Sequence, residues 1–333
     1  MAIGVTMRKK FRIGTYQRSL LNDKGLGMWI ISCLLLLMPS LSIAQMTISK
    51  VGEAALFSSC ILDRQTYLAV GDLGKIYRTE DGGKKWSTIP SPVTSPLFCI
   101  RNVSKNTLFI SGANGVILKS TNGGKSWQKQ NTGISKQLFS LSFYGESKGI
   151  ALGDWGAILY TENGGETWQN VSWKEDIILY GGSYIDENNV WIVGEIGLVL
   201  RSANGGKSWT QYPFPVQSTL TAIDFNDKNR GIIVGIDGVV FETQNSGKNW
   251  QRVTGLPSNH FFDVAYKENV SACVGDYSVV LERSSTNWIK LDLPTDLSIL
   301  WLSGVSINKF DRQVLTLAVG KKGIIVVRRS ELK

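Results

Sequence analysis

The stretch VGDLGKIYRTEDGGKKW, residues Val70–Trp86, decides the fold because it returns four times nearly unchanged. It reappears as SGANGVILKSTNGGKSW (Ser111–Trp127), LGDWGAILYTENGGETW (Leu152–Trp168), VGEIGLVLRSANGGKSW (Val193–Trp209) and VGIDGVVFETQNSGKNW (Val234–Trp250). A shortened copy, VGDYSVVLERSSTNW, ends at Trp288, and a seventh opens at Val319 and stops with the chain. The leading glycines, Gly71, Gly112, Gly153, Gly194, Gly235, Gly275 and Gly320, are spaced 41, 41, 41, 41, 40 and 45 residues apart. A period near 41 marks an array of supersecondary units, each needing its neighbours to bury its apolar face.

Each unit reads as four short strands. In the third, branched and aromatic residues fill Leu138–Tyr144, Gly149–Leu152, Ala157–Thr161 and Thr167–Val171, and Gly, Asn and Asp punctuate them. The chain holds 35 Gly and 11 Trp, a mix suited to tight turns with regular aromatics and costly inside helices. The expected architecture is all-β: a seven-bladed β-propeller of four-stranded antiparallel blades over residues 45–333. The seventh unit lacks a fourth strand. The unassigned segment Met46–Val51 is expected to supply it, closing the ring through the N-terminal strand and protecting an edge.

Composition narrows the function. The sequence has 36 Lys+Arg, 27 Asp+Glu and one His, so His-based catalysis and His-rich metal sites are disfavoured. Of the net charge of +9, +5 falls in residues 1–44, which weakens any reading of the body as a nucleic-acid surface. Residues 1–44 read as an export signal: a basic stretch, the 11-residue apolar run Met28–Met38, then Pro39 and small residues ending at Ala44. The run is short of the roughly 20 residues that span a bilayer. Cleavage predicts a periplasmic or extracellular protein; retention predicts a membrane anchor. Cys60, Cys99 and Cys273 are expected to be buried and unpaired, with a Cys60–Cys99 bridge as the alternative.

The pattern [ST]-x-[DN]-x-G-x-x-W recurs five times in register, at Thr79–Trp86, Ser120–Trp127, Thr161–Trp168, Ser202–Trp209 and Thr243–Trp250. It is the Asp-box, or BNR repeat, seen in sialidase-type propellers. Its expected role is structural. Asp81, Asn122, Asn163, Asn204 and Asn245 bond their own turns, the following glycines take positive φ, and Trp86, Trp127, Trp168, Trp209 and Trp250 pack between sheets. Likeness to sialidases ends there, since no three Arg share a repeat position. Val70–Trp86 resembles more closely the photosystem II stability/assembly factor family, whose repeat reads VGxxGxIxxTxDGGxxW. That resemblance spans about residues 46–333. It implies a non-enzymatic scaffold, without cofactor or metal, that binds a membrane or envelope protein during assembly.

In a meander, alternate turns fall on opposite faces. The turn between the second and third strands shares its face with the irregular blade-to-blade linkers, where binding is expected. Candidate partner-binding residues there are Asp72, Asp154, Trp155, Trp173, Glu195, Asp276, Tyr277, Lys321 and Lys322: an acidic arc with one basic sector, and aromatics that either anchor a partner or pack on the neighbouring blade. Arg101 and Asp224 occupy one inner-strand position and are expected to line a central channel, with Arg101 a further candidate partner-binding residue if it is more than a polar channel lining. His260 sits at a linker end, where capping or packing is expected in place of catalysis. The alternative class is a glycan-binding or glycoside-hydrolase-like propeller. It needs paired carboxylates about 5–9.5 Å apart, for which Asp224 and Asp263 are the inner-strand candidates.

Overall fold

The computed structural model describes residues 44–284 and 287–332; the leader reading for residues 1–43 lies outside them. Seven four-stranded antiparallel sheets form the blades of a propeller. Within blades 1 to 6 the strand order follows the chain, from the channel outward. The inner strands are Leu56–Ile61, Leu97–Asn102, Leu138–Tyr144, Leu179–Tyr184, Leu220–Phe225, Phe261–Lys267 and, in blade 7, Leu302–Phe310. In blade 7 the outer strand is Gln45–Lys50, paired antiparallel with Ile324–Glu331 from Gln45↔Arg329 to Lys50↔Ile324. The N-terminal strand closes the ring as its unpartnered sequence required. No α-helix is found among the described residues, and none there is long and apolar enough to cross a membrane.

The second strand of every blade is buried along almost its whole length, as Tyr67–Gly71 and Val190–Gly194 illustrate. It is flanked by strands on both sides and by neighbouring blades on both faces, so continuous apolar runs replace alternation. The apolar clusters accordingly lie between blades. Ile150, Leu152 and Tyr160 of blade 3, for instance, meet Val190, Ile192 and Leu200 of blade 4.

The outer strands are shorter than the sequence suggests. In blade 3 the strand is Gln169–Asn170, where Thr167–Val171 was expected. The Asp-box turn occupies the chain up to the Trp, and only two residues remain in ladder register with Leu159 and Tyr160. In blade 1 the outer strand is likewise short, Ser87–Ile89, and starts directly after Trp86 of the box.

The hairpins use one hydrogen-bond plan. In the first, Thr79 Oγ1 donates to Asp81 Oδ1 at 2.8 Å and accepts the Gly83 N–H at 3.0 Å; Asp81 Oδ1 also accepts from Lys84 and Lys85 N–H. Ser120/Asn122, Thr161/Asn163, Ser202/Asn204 and Thr243/Asn245 repeat it. Each Trp joins a cluster shared with the preceding blade: Trp86 with blade 7, Trp127 with blade 1, Trp168 with blade 2, Trp209 with blade 3 and Trp250 with blade 4. The second glycine of the box is pressed onto that same blade. At Gly124 φ is +81° and a Cβ would lie 2.5 Å from Leu68 of blade 1.

Basic side chains add a second clasp. Arg78 Nε donates to the Gly123 carbonyl of the next blade, Lys119 Nζ to Gly164, and Arg329 Nη2 across the ring closure to Gly82. Cys60, Cys99 and Cys273 are buried free thiols, so the Cys60–Cys99 bridge does not form. Burial pushes the Cys60 thiol up to about 12.

Deleting residues 1–50 removes the closing ladder together with Met46 and Ile48, which pack on the core of blades 6 and 7. Loss of two such side chains costs several kcal/mol, so the melting temperature should fall by at least about 5 °C relative to a chain starting at residue 45. A thermal melt followed by circular dichroism checks this.

Candidate functional site: the linker face and channel mouth

The turns between second and third strands share one face with the linkers, because their backbones bond to each other. Gly115 N–H donates to Lys136, Gly156 N–H to Ile177, and Gly238 N–H to Asn259. Three of these turns open with an acid whose carboxylate caps the linker leading into its own blade. Asp154 Oδ1 accepts Gln137 N–H at 2.8 Å and Glu195 Oε2 accepts Ile178 N–H at 2.9 Å. Asp276 Oδ1 accepts His260 N–H at 3.1 Å and Asn259 Nδ2 at 2.7 Å. Asp72 accepts the N–H of Leu73. These four acids of the expected arc therefore fix local backbone.

The next residue of each turn is held in the left-handed region: Leu73, Asn114, Trp155, Ile196, Asp237, Tyr277 and Lys322, with φ between +49° and +58°. Such backbone disfavours L-residues by about 1–2 kcal/mol and is worst for a β-branched side chain like Ile196. It also pushes the side chain out. Leu73 is 62% exposed, Trp155 62%, Ile196 70% and Tyr277 70%. Ile299 and Trp301, in the linker between blades 6 and 7, are exposed too, and Lys321 Nζ lies 3.8 Å above the Trp301 ring. Six of the eight exposed large hydrophobic residues described thus lie on this face; Tyr144 and Ile289 are the others.

Trp173 does not belong with them. It packs in the blade 3–4 cluster with its indole N–H buried, because its backbone N–H is tied to the Gly156 carbonyl and draws the linker inward. His260 caps, with Nδ1 accepting Asp237 N–H at 3.0 Å.

A second, inner ring surrounds the channel mouth on the same face. Every inner strand is bulged after its first residue; Leu56 pairs with Gly71 and Ser58 with Val70, leaving Phe57 unpaired. The equivalent residues are Phe98, Phe139, Tyr180, Thr221, Phe262 and Ser303, each 41 further on. A bulge re-aims its side chain, here toward the axis. Phe57, Phe98, Phe139 and Tyr180 form an unbroken arc with ring centroids 5.6, 5.1 and 5.9 Å apart. With Phe262 they line a cavity of about 90 Å³ at the mouth.

Arg101 lies beneath this ring, and the channel then widens to about 430 Å³ toward the Asp-box face, where Asp224 borders it. Arg101 Nη1 donates to the Ile100 carbonyl at 3.0 Å. Asp224 accepts Phe225 N–H and, one blade on, Tyr266 N–H at 2.8 Å. Asp263 accepts Val264 N–H and Val305 N–H, both at 2.9 Å. Both carboxylates are thus inter-blade ties, the role that Ser58 plays toward Ile100 and Ser142 toward Tyr184. Burial pushes the Asp224 carboxyl up to about 6, against the lowering pull of those N–H donors and of Arg101; Asp263 is raised for the same reason. No cluster of three or more metal-ligating side chains occurs among the described residues.

The outer ring's Leu73 and Ile196 and the whole inner ring escape the sequence reading. Their signal is an apolar residue after the turn's first position, and an aromatic one after the inner-strand leucine, at the repeat period.

These features define a seven-bladed Asp-box propeller with an ornamented linker face. The family described as photosynthesis system II assembly factor YCF48 matches residues 125–214 and 209–299, just over half the chain, and the protein belongs to it. Among solved structures, one described as YCF48 bound to D1 peptide is similar with a TM-score of 0.67 at 18% identity, over 90% of this chain and 100% of that one. YCF48 from Cyanidioschyzon merolae gives 0.63 at 18%, over 83% and 96%. An ancestral GH74 enzyme gives 0.66 at 17%, over 81% of this chain and 44% of that one. No curated protein matches.

Two outcomes test the site's energetics. Ile196→Asn replaces a β-branched residue with one that tolerates left-handed backbone, so unfolding by denaturant should show a gain of about 1 kcal/mol. An unchanged or lower stability would deny the strain. Between about pH 4 and 6 the folded chain keeps an Asp224 proton that the unfolded chain has released. This group's contribution therefore favours folding as pH falls through about 6 and opposes it above. Asp224→Asn should shift the difference in melting temperature between pH 5 and pH 7 toward greater relative stability at pH 7.

Proposed function

We propose that this protein is an exported, non-enzymatic binding scaffold whose linker face holds part of a membrane or envelope protein while its complex assembles. The observation that carries the reading is the one-sided placement of exposed apolar residues: six of eight lie on the linker face. Four of these occupy left-handed turn tips, where strain is kept for a side chain that contributes nothing to the core. Family membership supports an assembly role, and the similar propeller described as bound to D1 peptide supports a polypeptide as the partner. The basic, then apolar, then small-residue leader supports export to the periplasm or beyond, with an anchored form if it is retained.

The likeness to GH74 enzymes supports a second reading, a glycan-directed propeller. Against it, Asp224 and Asp263 already hold two backbone N–H groups each. A photo-crosslinking residue placed at Trp155 or Ile196, and on the opposite face at Lys125 or Lys248, distinguishes the readings in full-length protein expressed in its native cells. A discrete membrane-protein adduct from the first pair alone is expected. Equal adducts from both faces, or retention on glycan resin without protein adducts, would contradict the proposal.

A further inference from the structure

The linker face differs from the opposite face in charge as well as in exposed apolar residues. Its turns and linkers, the segments joining second to third strands and blade to blade, carry ten acidic residues and five lysines. The segments of the Asp-box face, between the described strands, carry eleven acidic and ten basic residues and are nearly balanced. The body nonetheless has net positive charge, so the acidic surplus of the linker face is local. Part of it has a capping task, as Asp154, Glu195 and Asp276 show. Glu175, Asp176, Asp292 and Asp296 are different. They are exposed on two linkers, and no side-chain hydrogen bond or ion pair engages them among the described contacts.

At the centre of this face the aromatic arc lines a mouth of about 90 Å³. That is smaller than the roughly 150 Å³ cavity that admits benzene, so it suits a slim chain better than a ring. Aromatic faces attract cations, and more so when desolvated. Beneath the ring, two carboxylates, Asp224 and Asp263, stand against one guanidinium, Arg101.

We propose that the segment held on the linker face is cationic and apolar together: a stretch of partner polypeptide in which lysine or arginine alternates with large hydrophobic residues. Its apolar side chains meet the tips Leu73, Trp155, Ile196 and Tyr277. Its charges meet the linker acids, and one basic side chain enters the aromatic mouth. This deepens the scaffold reading and rests on the linker face being the docking face. An anionic lipid surface fits poorly, since it would face like charge.

The test uses fluorescence anisotropy of full-length protein with two labelled peptides of leucine and tryptophan, one alternating with lysine and the other with glutamate. At about 50 mM salt the lysine peptide should bind at least about tenfold tighter, and about 500 mM salt should remove most of that difference. Joint replacement Glu175→Lys, Asp176→Lys, Asp292→Lys and Asp296→Lys should erase the preference with an unchanged melting curve, since all four side chains are exposed. Phe98→Ala with Phe139→Ala should weaken the lysine peptide about tenfold. Equal binding of both peptides, a preference that survives the four lysines, or tighter binding to phosphatidylglycerol vesicles than to the lysine peptide would overturn the proposal. If the peptides fail while crosslinks still arise only from Trp155 and Ile196, the docking face stands and only its charge preference falls. Loss of both removes the scaffold reading as well.

Discussion

The structure depends on the contact between each Asp-box hairpin and the blade before it. A four-stranded sheet of this length cannot bury enough apolar surface alone, so stability lies in the interfaces between blades. The hairpin supplies three parts of each interface. A tryptophan enters the apolar cluster, a glycine with positive φ lets the turn lie flat against a neighbouring side chain, and the turn's free carbonyl takes a basic side chain from the blade behind. Gly124 against Leu68, Trp127 in the same cluster and Arg78 on Gly123 are one complete set. Where the hairpin degenerates, other groups substitute. Glu242 receives both the Trp288 indole N–H and Arg283, so blade 6 is tied to blade 5 by an ion pair instead of the Gly-Gly turn.

Because the Asp-box face is committed to holding the ring together, the opposite face is free to vary. Its loops have irregular lengths and its turn tips bear unlike residues, from Leu73 to Lys322, on one shared left-handed backbone. A glycine or asparagine would be more comfortable at most of these tips. Ile196 and Tyr277 there are a cost to folding with no return in core contacts, and such local conflicts concentrate at functional surfaces. The channel belongs to both halves. Its carboxylates tie blades together, while its mouth, shaped by seven bulges, opens among the loops.

Much of this was legible in the sequence, and the reasons differ by element. Blade number and ring closure follow from counting: seven glycine-led units, a last unit lacking one strand, and a spare strand near the start. The hairpin chemistry follows from residue types at fixed spacing. The aromatic mouth was not legible, because Phe57 and its equivalents owe their direction to a bulge, and a bulge is a fact about pairing between strands. Trp173 is ambiguous in the sequence, anchor or blade packing, for a related reason. An aromatic residue in a linker resembles an anchor until a hydrogen bond to Gly156 turns the chain inward. The acids at the turn starts were seen, but their caps on the linkers depend on approach between segments about 17 residues apart.

The structure divides the propeller into a face that holds the ring together and a face proposed to bind. Hydrogen–deuterium exchange of the full-length protein, alone and with its partner recovered from native cells, measures that division directly. Partner binding should slow exchange in the turns at residues 72–75, 154–157, 195–198 and 276–279 and leave the Asp-box turns unchanged. Slowing confined to the Asp-box turns, or spread evenly over both faces, would contradict that division.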